Sequence, residues 1–247
     1  MRIDILTLFP AMCEAVLCES IIGRARKSGL VDIVCHDIRD YTTDKHRRVD
    51  DYTYGGGSGM VMQAEPIYEC FKAVCSIIGK RPHFIYMSPQ GKVLDQAVAI
   101  RLSKMESIAI LCGHYEGVDE RIIEEIVDEE ISVGDFVLTG GELPALCLAD
   151  AVARMLPNVL ASEESFINES HFNGLLEYPQ YTRPPEYHGR VVPEVLQNGH
   201  HAKIEEWRRQ QSLLRTFKRR PELLKKAELS KKDIAFLQEM KKDCINE

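Results

Sequence analysis

The stretch Ile131-Ser-Val-Gly-Asp-Phe-Val-Leu-Thr-Gly-Gly-Glu-Leu-Pro144 decides the fold: a short apolar β-run passes into a glycine-bearing loop and then, at Glu142, into a Leu- and Ala-rich helix. Two other segments share this construction, Met87-Ser-Pro-Gln-Gly91 after the run His83–Met87 and Leu111-Cys-Gly-His-Tyr-Glu-Gly117 after the run Ile108–Cys112. Three loops placed where apolar runs end can meet at one edge of a sheet, where backbone N–H and C=O groups line a pocket suited to a small polar ligand.

Outward from these loops, Ile3–Phe9 and Val31–Val34 also read as strands, with Ile131–Val133 the last of the set. Between the strands, Met12–Lys27, Pro66–Ile78, Asp95–Met105 and Asp119–Ile126 carry helical apolar spacing, and Glu142–Met155 follows as a further helix. This alternation predicts an α/β fold, a parallel sheet flanked by helices, over residues 1–160. A polar stretch with neither period, 161–175, predicts a flexible linker. Residues 176–247 then run from the Pro-punctuated Tyr178–Pro193 into a helical tail from His201, predicting a small all-helical domain.

Composition is that of a soluble globular protein, 45% apolar and 28% charged, with no apolar run of membrane-spanning length. The chain opens Met1-Arg-Ile-Asp, without a long apolar leader segment, and a cytoplasmic protein is expected. Its eight cysteines form no C-x-x-C pair and sit in apolar context, so buried thiols are expected in place of zinc or disulfides. Net charge is −7, but unevenly spread: 27 acidic against 16 basic residues up to Leu175, and 11 against 15 from Leu176 on. A basic final third can bind phosphates locally even on an acidic chain, although a solvated helix face gives the same pattern.

The segment Asp44-Lys-His-Arg-Arg-Val-Asp-Asp-Tyr-Thr-Tyr-Gly-Gly-Gly-Ser-Gly-Met60 combines cations with glycines that let a backbone approach a ligand closely. No Lys-Ser/Thr follows Gly59, so it is not a P-loop, and the G-x-G-x-x-G spacing of dinucleotide sites is absent. An ordinary nucleotide-dependent α/β enzyme therefore lacks its phosphate fingerprint, and it leaves the basic tail unexplained.

Together these segments closely resemble the trefoil-knotted (SPOUT) family of tRNA (guanine-N1)-methyltransferases, from Arg2-Ile-Asp-Ile-Leu-Thr-Leu-Phe-Pro10 to Arg219-Arg-Pro-Glu-Leu-Leu224. The resemblance implies a deep trefoil knot at the end of the α/β domain, threaded through the loops near Ser88, Gly113 and Ser132–Gly141. It implies S-adenosylmethionine there, with adenine and ribose against Tyr86, Ser88, Pro89, Gly113, Ser132, Val133, Gly134, Asp135, Phe136, Val137, Leu138, Gly140, Gly141 and Pro144, and the methionine end near Glu116 and Gly117. A possible requirement for magnesium enters the same way, although the sequence contains no dedicated metal cage. The family's D-x-x-Y-G-G-G-x-G-M corresponds to the glycine segment above.

Methylating guanine N1 requires loss of its proton, while charge moves onto O6. By resemblance Arg154 stabilises O6 and Glu169, five residues before Gly174, is the base, although the family has aspartate there. Glu163-Glu-Ser-Phe166 resembles the family's E-D-S-F and keeps Glu164 as the alternative base. Further RNA contacts are implied at His46, Asp50, Gly55, Gly59, Glu177, Arg183, Arg208 and Arg220, with the anticodon arm of tRNA as partner. Arginines beside aromatics, Trp207-Arg-Arg and Arg219-Arg-Pro221 among them, suit unpaired RNA loops, while Trp207 itself reads as a core residue. The family further implies a homodimer whose linker completes the partner's active site. A non-catalytic RNA-binding protein that keeps the cofactor fold is the competing expectation, favoured only by the departure at Glu169.

Overall fold

The computed structural model describes residues 1–57, 59–161 and 169–243, and the chain divides into two compact units, Met1–Ser162 and Glu163–Glu247. The first unit is built on five parallel strands: β1 Arg2–Thr7, β2 Asp32–Asp37, β5 His83–Val93, β6 Ser107–Cys112 and β7 Glu129–Ser132, in the order β2-β1-β6-β5-β7. Side chains alternate faces along a strand, and here both faces are covered. Ile3, Ile5, Ile85, Met87, Ile108 and Ile110 pack into one buried cluster, whereas Leu6, Phe84, Tyr86, Ala109 and Leu111 pack into the other.

Helices α3 Ala64–Ile78 and α5 Glu120–Ile126 cover the second of these faces. The first lies under α1 Pro10–Leu17, α2 Ser20–Lys27, α4 Gln96–Ser103 and α6 Glu142–Ala153. Asp95 and Asp119 start α4 and α5 by accepting backbone N–H bonds from Val98 and Arg121, as N-caps do. The single helix expected over Met12–Lys27 is two, because the chain turns at Cys18–Ser20, where Ser20 has φ +54. Gly23 permits the crossing: a Cβ there would lie 2.3 Å from the Cys18 carbonyl oxygen.

Buried thiols hold only in part. Cys13, Cys70 and Cys112 are buried, Cys35 and Cys75 are half-buried, and Cys18 and Cys147 are exposed, because their helices turn those positions outward. Cys244 lies outside the described residues. Among the described residues no helix is long and apolar enough to cross a membrane.

Asp4 is the one fully buried carboxylate of β1; it accepts from Arg2 at 2.8 Å and faces a His36 ring nitrogen at 2.7 Å. Burial alone would push its pKa up, but the bonds from His36 and Arg2 outweigh that and hold it below the usual carboxylate value. A depressed native pKa means that its stabilisation is present above the unfolded value of about 3.9 and is lost as pH falls through the native one. Asp4→Asn is expected to cost about 3 kcal/mol at pH 7. Urea midpoints measured from pH 7 to pH 3 should show the two proteins converging in acid; a gap that does not change with pH would refute the ionic origin.

The second unit packs helix His201–Arg219 against helix Lys231–Asp243, with Leu175, Leu213 and Leu237 at its centre. It is not all-helical. Glu186–Tyr187 and Arg190–Val191 form a two-stranded hairpin, β8–β9, whose turn residues His188 and Gly189 have φ +50 and +74. Positive φ at both central positions is the geometry that matches strand twist, and a two-residue strand is too short to show a period. The described end of the predicted linker, 169–175, is tied into this unit: the Glu177 N–H donates to Ser170 Oγ at 2.9 Å, and the Leu176 N–H to Thr216 Oγ1 at 2.9 Å.

Candidate active site

Strands β6, β5 and β7 are neighbours, so the three glycine-bearing segments leave the sheet side by side. The ladder between β5 and β7 shows how the first loop arises: Met87 and Lys92 both pair with Ile131, so Ser88–Gly91 is an excursion inside one long strand and not the strand's end. Gly91 is needed there, since a Cβ would sit 2.4 Å from the Glu130 carbonyl carbon.

The second and third loops are pinned to each other. The Gly141 N–H donates to the Gly113 carbonyl at 2.8 Å, and His114 and Gly140 form an antiparallel bridge. Gly141 passes so close to the end of β6 that a Cβ would lie 2.7 Å from Cys112 Cα. Beyond Gly141 the chain enters α6, where Glu142 is buried and accepts the Thr7 hydroxyl at 2.8 Å. Ser132 Oγ closes the turn at Gly134, donating to its carbonyl at 2.9 Å and accepting its N–H at 3.1 Å.

The loops enclose a cavity of about 310 Å³, within the range of small-molecule sites. Tyr86, Ser88, Pro89, Gly113, Glu116, Gly117, Ser132, Val133, Phe136, Val137, Leu138, Gly140, Gly141 and Pro144 all line it. Gly134 and Asp135, from the same predicted set, do not; Gly134 instead packs under Phe136, whose ring a Cβ would meet at 2.7 Å.

Glu120 and Glu130 join Glu116 on the wall, and among the described residues the lining contains no Lys or Arg. Neither residue stands out in the sequence, because Glu120 belongs to a helix first turn and Glu130 to the acidic run that opens β7. Only the placing of β7 beside β5 brings Glu130 to the site. Burial, then the nearby Glu130 and Glu120, push the Tyr86 hydroxyl up to about 12, so it remains a neutral hydrogen-bond donor at pH 7. His114 Nδ1 is buried at this wall without a hydrogen-bond partner among the described residues. A wall of carboxylates and backbone groups with one unsatisfied ring nitrogen suits a cationic, hydrogen-bonding ligand and disfavours a phosphate.

The remaining predicted residues fall in several places. Arg154 is the half-buried C-cap of α6, its N–H donating to the Asp150 carbonyl at 3.0 Å. Glu169 belongs to the second unit, where its carbonyl accepts the Phe172 N–H at 3.4 Å. Glu164 lies outside the described residues.

His46, Asp50, Gly55 and Gly59 belong to the glycine segment, which forms a hairpin, β3 Asp50–Tyr52 with β4 Met60–Met62, that sequence periodicity did not reveal. Its second strand is bonded to the cavity rim: Glu116 N–H to the Met60 carbonyl at 3.0 Å and Met62 N–H to the Gly117 carbonyl at 2.9 Å. Gly59 abuts the Glu116 carboxylate, where a Cβ would come within 2.5 Å of Oε1.

In the second unit, Glu177 accepts from Gln180 at 2.6 Å, and Arg183 is exposed. Arg208 bonds Glu205 at 2.8 Å and lies over the Tyr178 ring at 4.9 Å. Arg220 pairs with Glu222, and Arg209 turns to Asp233 at 2.9 Å. Trp207 is half-buried, its ring 6.3 Å from that of Tyr181, and it is outside the central cluster. Among the described residues no group of three or more His, Cys, Asp or Glu is placed to hold a metal ion.

Fold and site thus define an α/β protein with a loop-built, anionic cavity at the carboxyl edge of a parallel sheet. The family model described as tRNA (Guanine-1)-methyltransferase TrmD matches residues 1–226. A tRNA (guanine-N(1)-)-methyltransferase of Ruminiclostridium cellulolyticum is 61% identical over 226 residues, 92% of this chain and 97% of that one. Proteins of the same name from Alkaliphilus oremlandii and Fusobacterium nucleatum are 53% and 52% identical, covering 98% and 99% of this chain and 99% and 100% of theirs. The chain belongs to the tRNA (guanine-N1)-methyltransferase family, and it is a methyltransferase.

Proposed function

We propose that this protein methylates N1 of guanine 37 of tRNA, beside the anticodon, when a guanine precedes it, using S-adenosylmethionine. The observation that carries the cofactor reading is the cavity wall: Glu116, Glu120 and Glu130, with no lysine or arginine among the described residues, facing space for a small molecule. Such a wall attracts a sulfonium cation and holds a neutral thioether less tightly, which favours product release. When bound, S-adenosylmethionine supplies an electrophilic methyl group whose transfer breaks one carbon–sulfur bond and forms one carbon–nitrogen bond.

The chain's own residues do the rest. Backbone groups of the three loops and the neutral Tyr86 hydroxyl orient the donor, so that positioning supplies much of the rate. The Glu169 carboxylate accepts the N1 proton, and the Arg154 guanidinium stabilises the charge that develops on O6. The loops thread through one another as a trefoil knot, consistent with the close pass of Gly141 over Cys112 and Gly113.

The functional unit is a cytoplasmic homodimer whose linker, 161–175, completes the partner's site, and residues 176–247 grip the anticodon arm through Arg183, Arg208, Arg220 and Glu177. An apolar stripe supports the dimer: Met12 and Val16 on α1, and Leu143 and Cys147 on α6, are exposed one helical turn apart on two helices that pack together.

The test is transfer of labelled methyl into two tRNA transcripts, one with guanine and one with adenine at position 37. Label in the first alone, mapped to N1, is expected. Label in both or in neither would overturn the reading.

A further inference from the structure

Two large aromatic side chains near the site have no part in the chemistry above. Tyr52, which ends β3, is 84% exposed, and Tyr54, in the turn beyond it, is 101% exposed. Tyrosines at that exposure leave on the order of 150 Å² of ring surface in water each, area that aromatic residues ordinarily bury. Their surroundings keep the rings uncovered. Gly55, Gly56 and Gly57 follow with φ +87, +78 and +132, left-handed backbone open to glycine, so these three positions carry no side chain that screens a ring. The Thr53 hydroxyl donates to the Gly56 carbonyl at 3.3 Å and ties the turn between the two tyrosines and the glycines.

This hairpin is held to the cavity rim by the backbone bonds at Met60 and Met62 and by the contact of Gly59 with Glu116. A group lying on the tyrosines is therefore held beside the place where the methyl donor sits. The chain that leads into β3 carries side chains suited to a phosphate of the same strand. Arg47 is engaged by Asp40 and Arg48 by Asp44, whereas Lys45 and His46 are exposed and, among the described residues, have no ion pair. Flat apolar faces joined by phosphates are the chemistry of unpaired RNA, whose bases stack on aromatic rings while cations hold the backbone.

We propose that Tyr52 and Tyr54 form a stacking platform for an unpaired tRNA base next to the target guanine, with Lys45 and His46 on the adjoining phosphate. The inference rests on the tRNA reading above, and it assigns to the hairpin a task separate from catalysis: presenting the strand so that the guanine reaches the cavity. Stacking tolerates any base but needs a ring, so the platform distinguishes an opened loop from a closed duplex and not one sequence from another.

The deciding experiment measures the Kd of tRNA directly, with and without S-adenosylmethionine, for the full-length protein and for Tyr52→Phe, Tyr52→Leu, Tyr54→Phe and Tyr54→Leu. The phenylalanine variants should bind within about 2-fold of the unaltered protein, and each leucine variant about 10-fold or more weakly, because leucine keeps apolar bulk but has no π-face. Affinity for S-adenosylmethionine should not change. A tRNA lacking the neighbouring base should bind the unaltered protein as weakly as leucine variants bind intact tRNA, with no further loss when both changes are combined.

Equal binding by the leucine variants, or additive losses in that cycle, would overturn the platform. A change in sedimentation of the leucine variants would place the rings against a second copy of the chain and overturn it too. Because the readout is binding, a protein that binds tRNA through these rings but transfers no methyl would leave the inference standing and remove only the catalytic reading.

Discussion

Glu169→Gln is expected to reduce methyl transfer to guanine 37 by about 10²- to 10⁴-fold, the range by which a positioned general base contributes. Glutamine matches glutamate in size and can still hydrogen-bond, so affinities for tRNA and S-adenosylmethionine should stay within about 3-fold, and the loss should fall on kcat. Glu169→Asp keeps the carboxylate and shortens its reach by one methylene; a displacement near 1 Å costs at most about 100-fold, so this variant should recover part of the rate. Glu164→Gln is the matched control. Single-turnover transfer with saturating tRNA decides among them: full activity of Glu169→Gln together with loss in Glu164→Gln would move the base to the second carboxylate. Loss in neither would mean that the N1 proton leaves without a linker carboxylate.

Gly141→Ala is expected to abolish S-adenosylmethionine binding at concentrations that saturate the unaltered protein. The added methyl would lie 2.7 Å from Cys112 Cα and 2.9 Å from the Gly113 nitrogen, both backbone atoms that no rotamer change moves away. Two loops must separate, and with them goes the bond from the Gly141 N–H to the Gly113 carbonyl. Overpacking of this kind costs about 1–3 kcal/mol, with loss of that hydrogen bond adding about 1 kcal/mol, a sizeable part of a domain's stability. Calorimetric titration with the cofactor, beside a urea melt, checks both effects. Gly189→Ala, in the β8–β9 turn where nothing lies within 4 Å of the added methyl, bears only the cost of positive φ and should leave cofactor binding intact. An unchanged Kd in Gly141→Ala would mean that the loops are not locked as described.

Local pattern sufficed for much of this molecule. The central strands β1 and β6 and the first half of β5 are apolar runs buried on both faces, so their residues stand out without knowledge of partners, and Asp95 and Asp119 mark helix starts through bonds to backbone a few residues away. Three glycine-bearing loops after three such runs marked most of the cavity wall. The misses were features that arise between distant segments. The hairpin β3–β4 is three residues to a strand, and β8–β9 is two, so neither offers a period. The break at Cys18–Ser20 follows from a close packing of Gly23 on Cys18, invisible in a run whose apolar spacing continues across it.

By itself, then, the sequence determined the parallel α/β framework, the three cavity-lining loops and a basic tail, because each is written in residues near one another in the chain. Tertiary structure alone decided that the cavity wall is anionic, by setting β7 beside β5 and so bringing Glu130 next to Glu116 and Glu120. It alone decided that the glycine hairpin is bonded to the cavity rim and carries two bare tyrosine rings. The physical reason is the same in both cases: charge and exposure depend on which surfaces meet, and strand order, which fixes that, is a property of the whole sheet and not of any one strand.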